Sequence, residues 1–276
     1  MREFYLINGN GVQFNLNTPR GFFHSPNGLG FDRTQQYLRT GDFYKAIDDY
    51  PSQKMVSGEM IFRSYADYQT FTRFIAIKPL KLIYKPLNTE YRLDCTISSF
   101  QKSEIDYQNN RLICPITFMG ESKWYFLRNI VTTHPTGAGA KIYSFDYNFT
   151  YYDEHTGVMD LINDSPSDAP CILHIQGYCR NPHWSLTVNN KQIMSGEVEA
   201  EIQDGNQLVI NSRDDSLEIS EYTNQNVFVE NLYQKADVSM ENFIYIPTGT
   251  SKLTITDDAL SDITAYLEIL EEYDTI

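Results

Sequence analysis

Four residues of the types that bind zinc lie close together in the second half of the chain. They are Cys171, His174, Cys179 and His183, and tetrahedral zinc sites are built from such thiolates and imidazoles. Residues 171–176 read as a β-strand, so Cys171 and His174 are expected on opposite faces, where they cannot reach one ion. Neither thiol belongs to the tight Cys-x-x-Cys pair that structural zinc sites favour. We therefore predict two buried thiols, two surface histidines and no metal or other cofactor.

The other candidates for chemistry are a serine–lysine pair and adjacent acids. Ser99 and Lys102 match the spacing of penicillin-recognising enzymes, but those place the pair on one helical face, whereas here it follows a predicted strand. The acidic pairs at 214–215, 257–258 and 271–272 point apart on a strand, while glycoside hydrolysis needs two carboxyls across a cleft, roughly 5 to 10 Å apart. The sequence contains no phosphate-binding loop, zinc-protease helix, calcium loop or nucleophile elbow. We predict that the protein is not an enzyme.

Composition predicts a β-rich protein with two domains. The 276 residues exceed the roughly 100 to 200 of a typical domain, although one large β domain is the alternative. Twenty tyrosines and sixteen phenylalanines favour sheets, because aromatic side chains pack well on a pleated surface. The four cysteines, Cys95, Cys114, Cys171 and Cys179, are too dispersed for a disulfide scaffold and are expected to be free and mostly buried.

Charge divides the chain into two unlike halves. Residues 1–150 hold 17 basic and 13 acidic residues, whereas residues 151–276 hold 5 basic and 23 acidic residues. A strongly acidic surface repels phosphate, so we expect no sequence-specific binding of nucleic acid by the second half. The sequence shows neither the apolar segment of a signal peptide nor a membrane span, and a soluble product made in a cytoplasm is expected.

Local patterns predict one helix among many strands in the first half. Ser64, followed by Asp67, has the pattern of a helix N-cap, and the apolar face of the helix continues to a stop at Pro79. The chain opens with a predicted hairpin around residues 8–11 and continues with a loop-rich stretch at 22–31. Further strands are predicted at 35–39, 54–63, 80–84, 90–97, 105–107, 112–119, 123–128 and 143–152.

The second half shows short strands at regular spacing, the signature of an antiparallel sandwich or barrel. The polar stretch from Asn163 to Pro170, which contains Pro166, precedes them and is the best linker candidate. Trp184 heads one strand and is expected in the core rather than stacked on a sugar. The predicted strands are 171–177, 185–188, 192–194, 197–202, 207–211, 217–222, 243–246 and 252–256, with a last strand or short helix at 265–272.

Several segments carry a resemblance to one family. In the first half they include the opening hairpin, Ser25-Pro26-Asn27-Gly28-Leu29-Gly30-Phe31 and the helix from Tyr65 to Ile75. The remaining segments are residues 78–92, 114–118, 170–177, 181–182, 205–210 and 243–249. Together they resemble the distal tail proteins of long-tailed bacteriophages, the siphophages.

The resemblance implies a mainly β architecture and a structural role. It implies an N-terminal β-sandwich with one α-helix, which forms the ring at residues 1–155, and a linker at 156–169. A C-terminal galectin-like (jelly-roll) antiparallel β-sandwich would follow at 170–276. Six copies would close a homohexameric ring around a DNA channel, with arms such as residues 17–50 covered by neighbours.

The resemblance also implies partners and a place of action. The partners would be the tail tube protein, a tail-associated tip protein and a receptor-binding protein, with cell-wall saccharide as a further ligand of the second domain. The protein would be made in the bacterial host cytoplasm and would act at the virion tail tip. Two alternatives stay open: a carbohydrate-binding adhesion module and a hydrolase of cell-wall glycan. The resemblance assigns no ligand-binding residue.

Overall fold

The computed structural model of the chain describes residues 2–106, 111–132, 157–259 and 264–276. It is mainly β, as predicted, with twenty-three strands and one α-helix in these ranges. The chain divides into two compact units, Met1–Phe126 with Glu272–Ile276, and Leu127–Glu271. None of the described helices combines the length and the apolar character that crossing a bilayer requires.

In its described residues the first unit contains eleven strands, most of which the sequence predicted. In chain order they are β1 (Glu3–Ile7), β2 (Gln13–Asn15), β3 (Asn17–Thr18), β4 (Gly21–Asn27), β5 (Arg33–Thr40), β6 (Phe43–Pro51), β7 (Met55–Phe62), β8 (Leu80–Lys85), β9 (Tyr91–Phe100), β10 (Leu112–Gly120) and β11 (Trp124–Val131), of which β11 continues into the second unit. The helix α1 (Tyr65–Ile75) lies between β7 and β8. The strand predicted for 143–152 lies outside the described residues.

The paired strands of the first unit form one sheet whose two ends are joined, and we call it the closed sheet. Antiparallel pairs run in the order β1, β8, β9, β10, β7, β4 and β3, and β2 returns to β1. Leu16, between β2 and β3, completes the path, because its N–H donates to the Phe4 carbonyl and its own carbonyl accepts from the Phe23 N–H. Closure of this kind removes unpaired edges from the sheet.

The helix begins where the sequence predicts and packs its apolar face on the sheet. The Ser64 hydroxyl accepts a hydrogen bond from the Asp67 N–H at 3.1 Å, which satisfies one of the free amides of the first turn. Phe71 is buried with its ring 5.2 Å from that of Phe14 and 5.5 Å from that of Phe62. The helix ends at Ile75, ahead of the predicted stop at Pro79.

The second unit is a sandwich of two antiparallel sheets. Its elements are β12 (Gly157–Asn163), β13 (Ala169–Gln176), β14 (Cys179–Arg180), β15 (His183–Val188), β16 (Lys191–Glu197), β17 (Glu201–Ile202), β18 (Asn206–Asn211), β19 (Glu218–Thr223), β20 (Phe228–Asn231), a 3₁₀ turn (Tyr233–Lys235), β21 (Tyr245–Ile246), β22 (Gly249–Thr256) and β23 (Thr264–Tyr273). One sheet has the order β20-β19-β18-β13-β23 and the other β12-β22-β15-β16. Their inward-facing side chains share one core, in which Trp184 and Leu173 are buried.

Two stretches that were predicted as a loop and a linker contain strands. The stretch 22–31 was expected to be a loop, yet β4 pairs with β7 because Phe23 turns into the core while its neighbours face outward. The expected linker, 156–169, contains β12, whose alternate residues Met159 and Leu161 are buried. The compact first unit consists of Met1–Phe126 and Glu272–Ile276, and the domain boundary at 155 stays a prediction. Residues 265–272 were predicted as a strand or a short helix, and they form a strand.

Candidate assembly surface

The structure separates the four residues that resemble a zinc site. Cys171 and Cys179 are buried, and burial raises the pKa of each thiol to about 12. His174 faces the other side of β13, with its ring stacked 4.0 Å from that of Tyr266. Burial also lowers the pKa of His174, against a weaker opposing effect of its 3.3 Å hydrogen bond to Gln207. In the part of the chain that the structure describes, no three His, Cys, Asp or Glu side chains are placed to hold a metal ion.

The other candidates for chemistry take part in structural contacts. Asp257 accepts hydrogen bonds from the backbone N–H groups of Arg180 at 3.1 Å and Ala259 at 3.3 Å, which fix a turn. Lys102 lies over the ring of Tyr65, 5.3 Å from its centroid. Trp184 is in the core, as expected, and its ring lies so close to Gly196 that any side chain there would collide with it. Each of these three side chains therefore has a structural contact in the fold.

A free-standing hairpin is the most unusual surface of the first unit. Strands β5 and β6 pair with one another from Thr40 and Phe43 at the turn to Arg33 and Pro51 at the base. Neither strand joins the closed sheet. Almost every residue of the two strands is exposed. We call residues 33–51 the arm.

Both faces of the arm carry large apolar side chains. In an antiparallel pair, opposite residues project on the same face, so the register places Leu38 and Phe43 on one face and Tyr37 and Tyr44 on the other. All four side chains are more than half exposed, and Phe43 reaches 81%. Exposed apolar patches of this kind mark surfaces that bind other proteins.

Polar contacts fix the arm at its base. Arg33 donates a hydrogen bond to the Asp49 carboxylate at 2.7 Å, and this bond holds the pKa of Asp49 below its usual range. The Ser52 N–H donates to the Asp32 carbonyl at 2.9 Å. Lys54, just past the arm, donates to the carbonyls of Gly30 and Asp274. The base is therefore ordered while the apolar faces stay open.

Sequence patterns revealed only part of this surface. The strand at 35–39 was predicted, but β6 was not, because residues 43–51 lack the alternation of a half-buried strand. The sequence signal that could have indicated a hairpin is Gly41. It lies at the turn, where the backbone has a φ of 62°, and a residue without a side chain adopts this angle without strain. The arm was instead expected from the family resemblance, which implies arms such as residues 17–50.

Comparison with known proteins agrees with that resemblance. Residues 3–120 match the family model of the distal tail protein N-terminal domain. No curated protein sequence is significantly similar to the chain.

Solved structures share the fold along the whole chain. A chain of the phage P2 baseplate, in its activated conformation with calcium, is similar over 100% of both chains, with a TM-score of 0.67 and 15% identity. The crystal structure of the Dit protein of phage SPP1, a hub of the adsorption apparatus, is similar over 98% of this chain and 99% of the other, with a TM-score of 0.61 and 6% identity. Residues 3–120 are therefore similar to the N-terminal domain of distal tail proteins, and the chain as a whole shares the fold of these phage baseplate and hub structures.

Proposed function

We propose that this protein forms a homohexameric ring at the tip of a long non-contractile tail, around the channel through which DNA leaves. The observation that carries the proposal is the arm, with exposed apolar side chains on both of its faces. Large exposed apolar patches of this kind mark sites where another molecule binds. In the ring, that molecule is the next copy of the same chain.

A ring follows when one surface of each copy binds a different surface of the next. Such heterologous contacts close into a ring where the rotation between copies permits. The arm suits this role because it projects from the closed sheet as a separate element, with polar contacts that hold its base. Each interface would bury aromatic residues, which commonly dominate binding energy between proteins.

The two units have different tasks in this proposal. The first unit, which matches the family model, forms the ring and joins it to the tail tube on one side and to a tail-associated tip protein on the other. The second unit, a galectin-like sandwich, contributes contacts to receptor-binding proteins. Its acidic character supports this division, because strong like charge would oppose tight packing around a ring.

Photo-crosslinking tests the arm directly. A benzoylphenylalanine at position 43 would crosslink copies of the chain, and mass spectrometry would locate the crosslinked residues on the first unit of a second copy. Leu87 is the matched control, since it is also apolar and 80% exposed in the first unit but lies outside the arm. Crosslinking between copies from position 87 but not from position 43 would contradict the proposal.

Saccharide binding by the second unit is the competing function. It requires exposed aromatic rings, and Tyr178, Phe228 and Tyr233 meet this requirement. Retention of the protein on immobilised cell-wall polysaccharide, lost when these three residues become alanine, would support it. Equal elution of the protein from polysaccharide and blank columns would refute it.

A further inference from the structure

We propose that the outer edge of β20 in the second unit binds an extended, basic segment of a different protein by strand addition. The proposal goes beyond ring formation, because it concerns a surface of the second unit that the arm does not include. It rests on three observations about residues 227–231: an open edge, an exposed apolar run and an acidic surrounding.

The first observation is the open edge. Strand β20 ends its sheet and pairs only with β19, through Ser220 with Asn231 and Tyr222 with Phe228. No other strand of the described ranges lies along its outer side. The backbone groups on an open edge can pair with an extended segment of another chain, which adds to the sheet as a further strand.

The second observation is the exposed apolar run. Val227, Phe228 and Val229 follow one another and are between 46% and 60% exposed. Val227 lies just before β20, and Val229 is left unpaired by the register shift between the pairs Tyr222–Phe228 and Glu221–Glu230, so this edge carries a bulge with apolar side chains around it. Phe228 is held in place by Tyr222, with the ring centroids 5.7 Å apart and the planes at 78°. A bound segment would therefore find exposed apolar side chains along the edge, with the Phe228 ring held in place among them.

The third observation is charge, which selects the partner. Seven acidic residues and a single lysine lie between residues 214 and 241, and that lysine, Lys235, is already paired with Glu230 at 3.0 Å. Pairing of this edge with the same edge of a second copy would bring two such acidic surfaces together, which like-charge repulsion opposes. A segment with lysine or arginine between apolar residues would complement the edge in both charge and contact.

A synthetic peptide tests strand addition. The probe is a fluorescein-labelled peptide of alternating lysine and valine, titrated with the full chain and followed by fluorescence anisotropy. We expect saturable binding that is lost when alternate peptide nitrogens are methylated, because methylation removes the N–H donors of a paired strand. Val229→Lys should weaken binding by about tenfold through charge repulsion. Val238→Lys, at a residue that is 96% exposed and outside the strand, should change it by less than about twofold.

Several outcomes would overturn the proposal. They are no binding by the peptide, equal binding by the methylated peptide, or equal weakening by Val229→Lys and Val238→Lys. Self-association of the chain that Val229→Lys abolishes would assign the edge to a second copy. Binding of cell-wall polysaccharide that requires Phe228, without peptide binding, would assign it to a sugar. Urea unfolding of both variants, matched to that of the unaltered chain, shows that each result concerns a folded protein.

Discussion

Replacing Phe43 by alanine is expected to weaken the ring strongly while leaving the fold of each copy unchanged. A phenylalanine side chain can bury about 200 Å², and 81% of Phe43 is exposed, so about 160 Å² is available to a neighbour. Truncation would remove about 100 Å² of this area, worth about 2.5 kcal/mol at about 25 cal/mol per Å². The dissociation constant of each interface would then rise about 60-fold.

Sedimentation velocity over a range of concentrations measures this change. The midpoint of assembly should shift to higher concentration for Phe43→Ala, whereas Leu87→Ala, which truncates a side chain that is 80% exposed outside the arm, should leave it unchanged. Urea unfolding of both variants should stay within about 0.5 kcal/mol of the unaltered chain, because exposed side chains add little to the stability of a single copy. An unchanged midpoint for Phe43→Ala would refute the role of the arm.

Three further predictions concern the fold of single copies. Glu271→Gln should lower the free energy of unfolding by about 2 kcal/mol in urea titrations, because Glu271 is 1% exposed and accepts a charged hydrogen bond from Arg128 at 2.7 Å, which weakens when the carboxylate becomes an amide. Burial holds the pKa of His174 below its ordinary 6.5, so the unfolded chain takes up the proton first. The resulting stability is present above pH 6.5 and is lost as the pH falls towards the folded pKa, and His174→Gln should flatten that part of the stability curve. All four cysteines are buried, so a thiol reagent should label none in the native protein and all four in urea.

Elements whose signals are local could be predicted from the sequence. The helix follows from Ser64 and Asp67, which contact one another within a single turn. The strands of the second unit follow from alternation, because one face of each sheet is buried against the other sheet. The placement of Cys171 and His174 on opposite faces of β13 followed from the same alternation.

Elements that depend on distant contacts were missed. Strand β12 was assigned to the linker because a polar stretch with prolines follows it, although its residues alternate between buried and exposed. The Asn163 side chain, polar and buried, is satisfied by donating hydrogen bonds to the carbonyls of Ser167 and Ile246, and the second of these residues lies far away in sequence. Strand β6 was missed for the opposite reason, since solvent on both faces leaves no alternation to detect. The exposure of the arm depends on whether distant residues of the first unit pack against it. A local sequence pattern does not contain this information.

Imaging of the purified protein tests the central claim most directly. Light scattering over a range of concentrations would give the mass of the assembly, and negative-stain electron microscopy would give its shape. We predict closed rings of six copies with a central opening, which Phe43→Ala shifts to smaller species. A monomer at every concentration, in the presence and in the absence of the tail tube protein, would contradict the account.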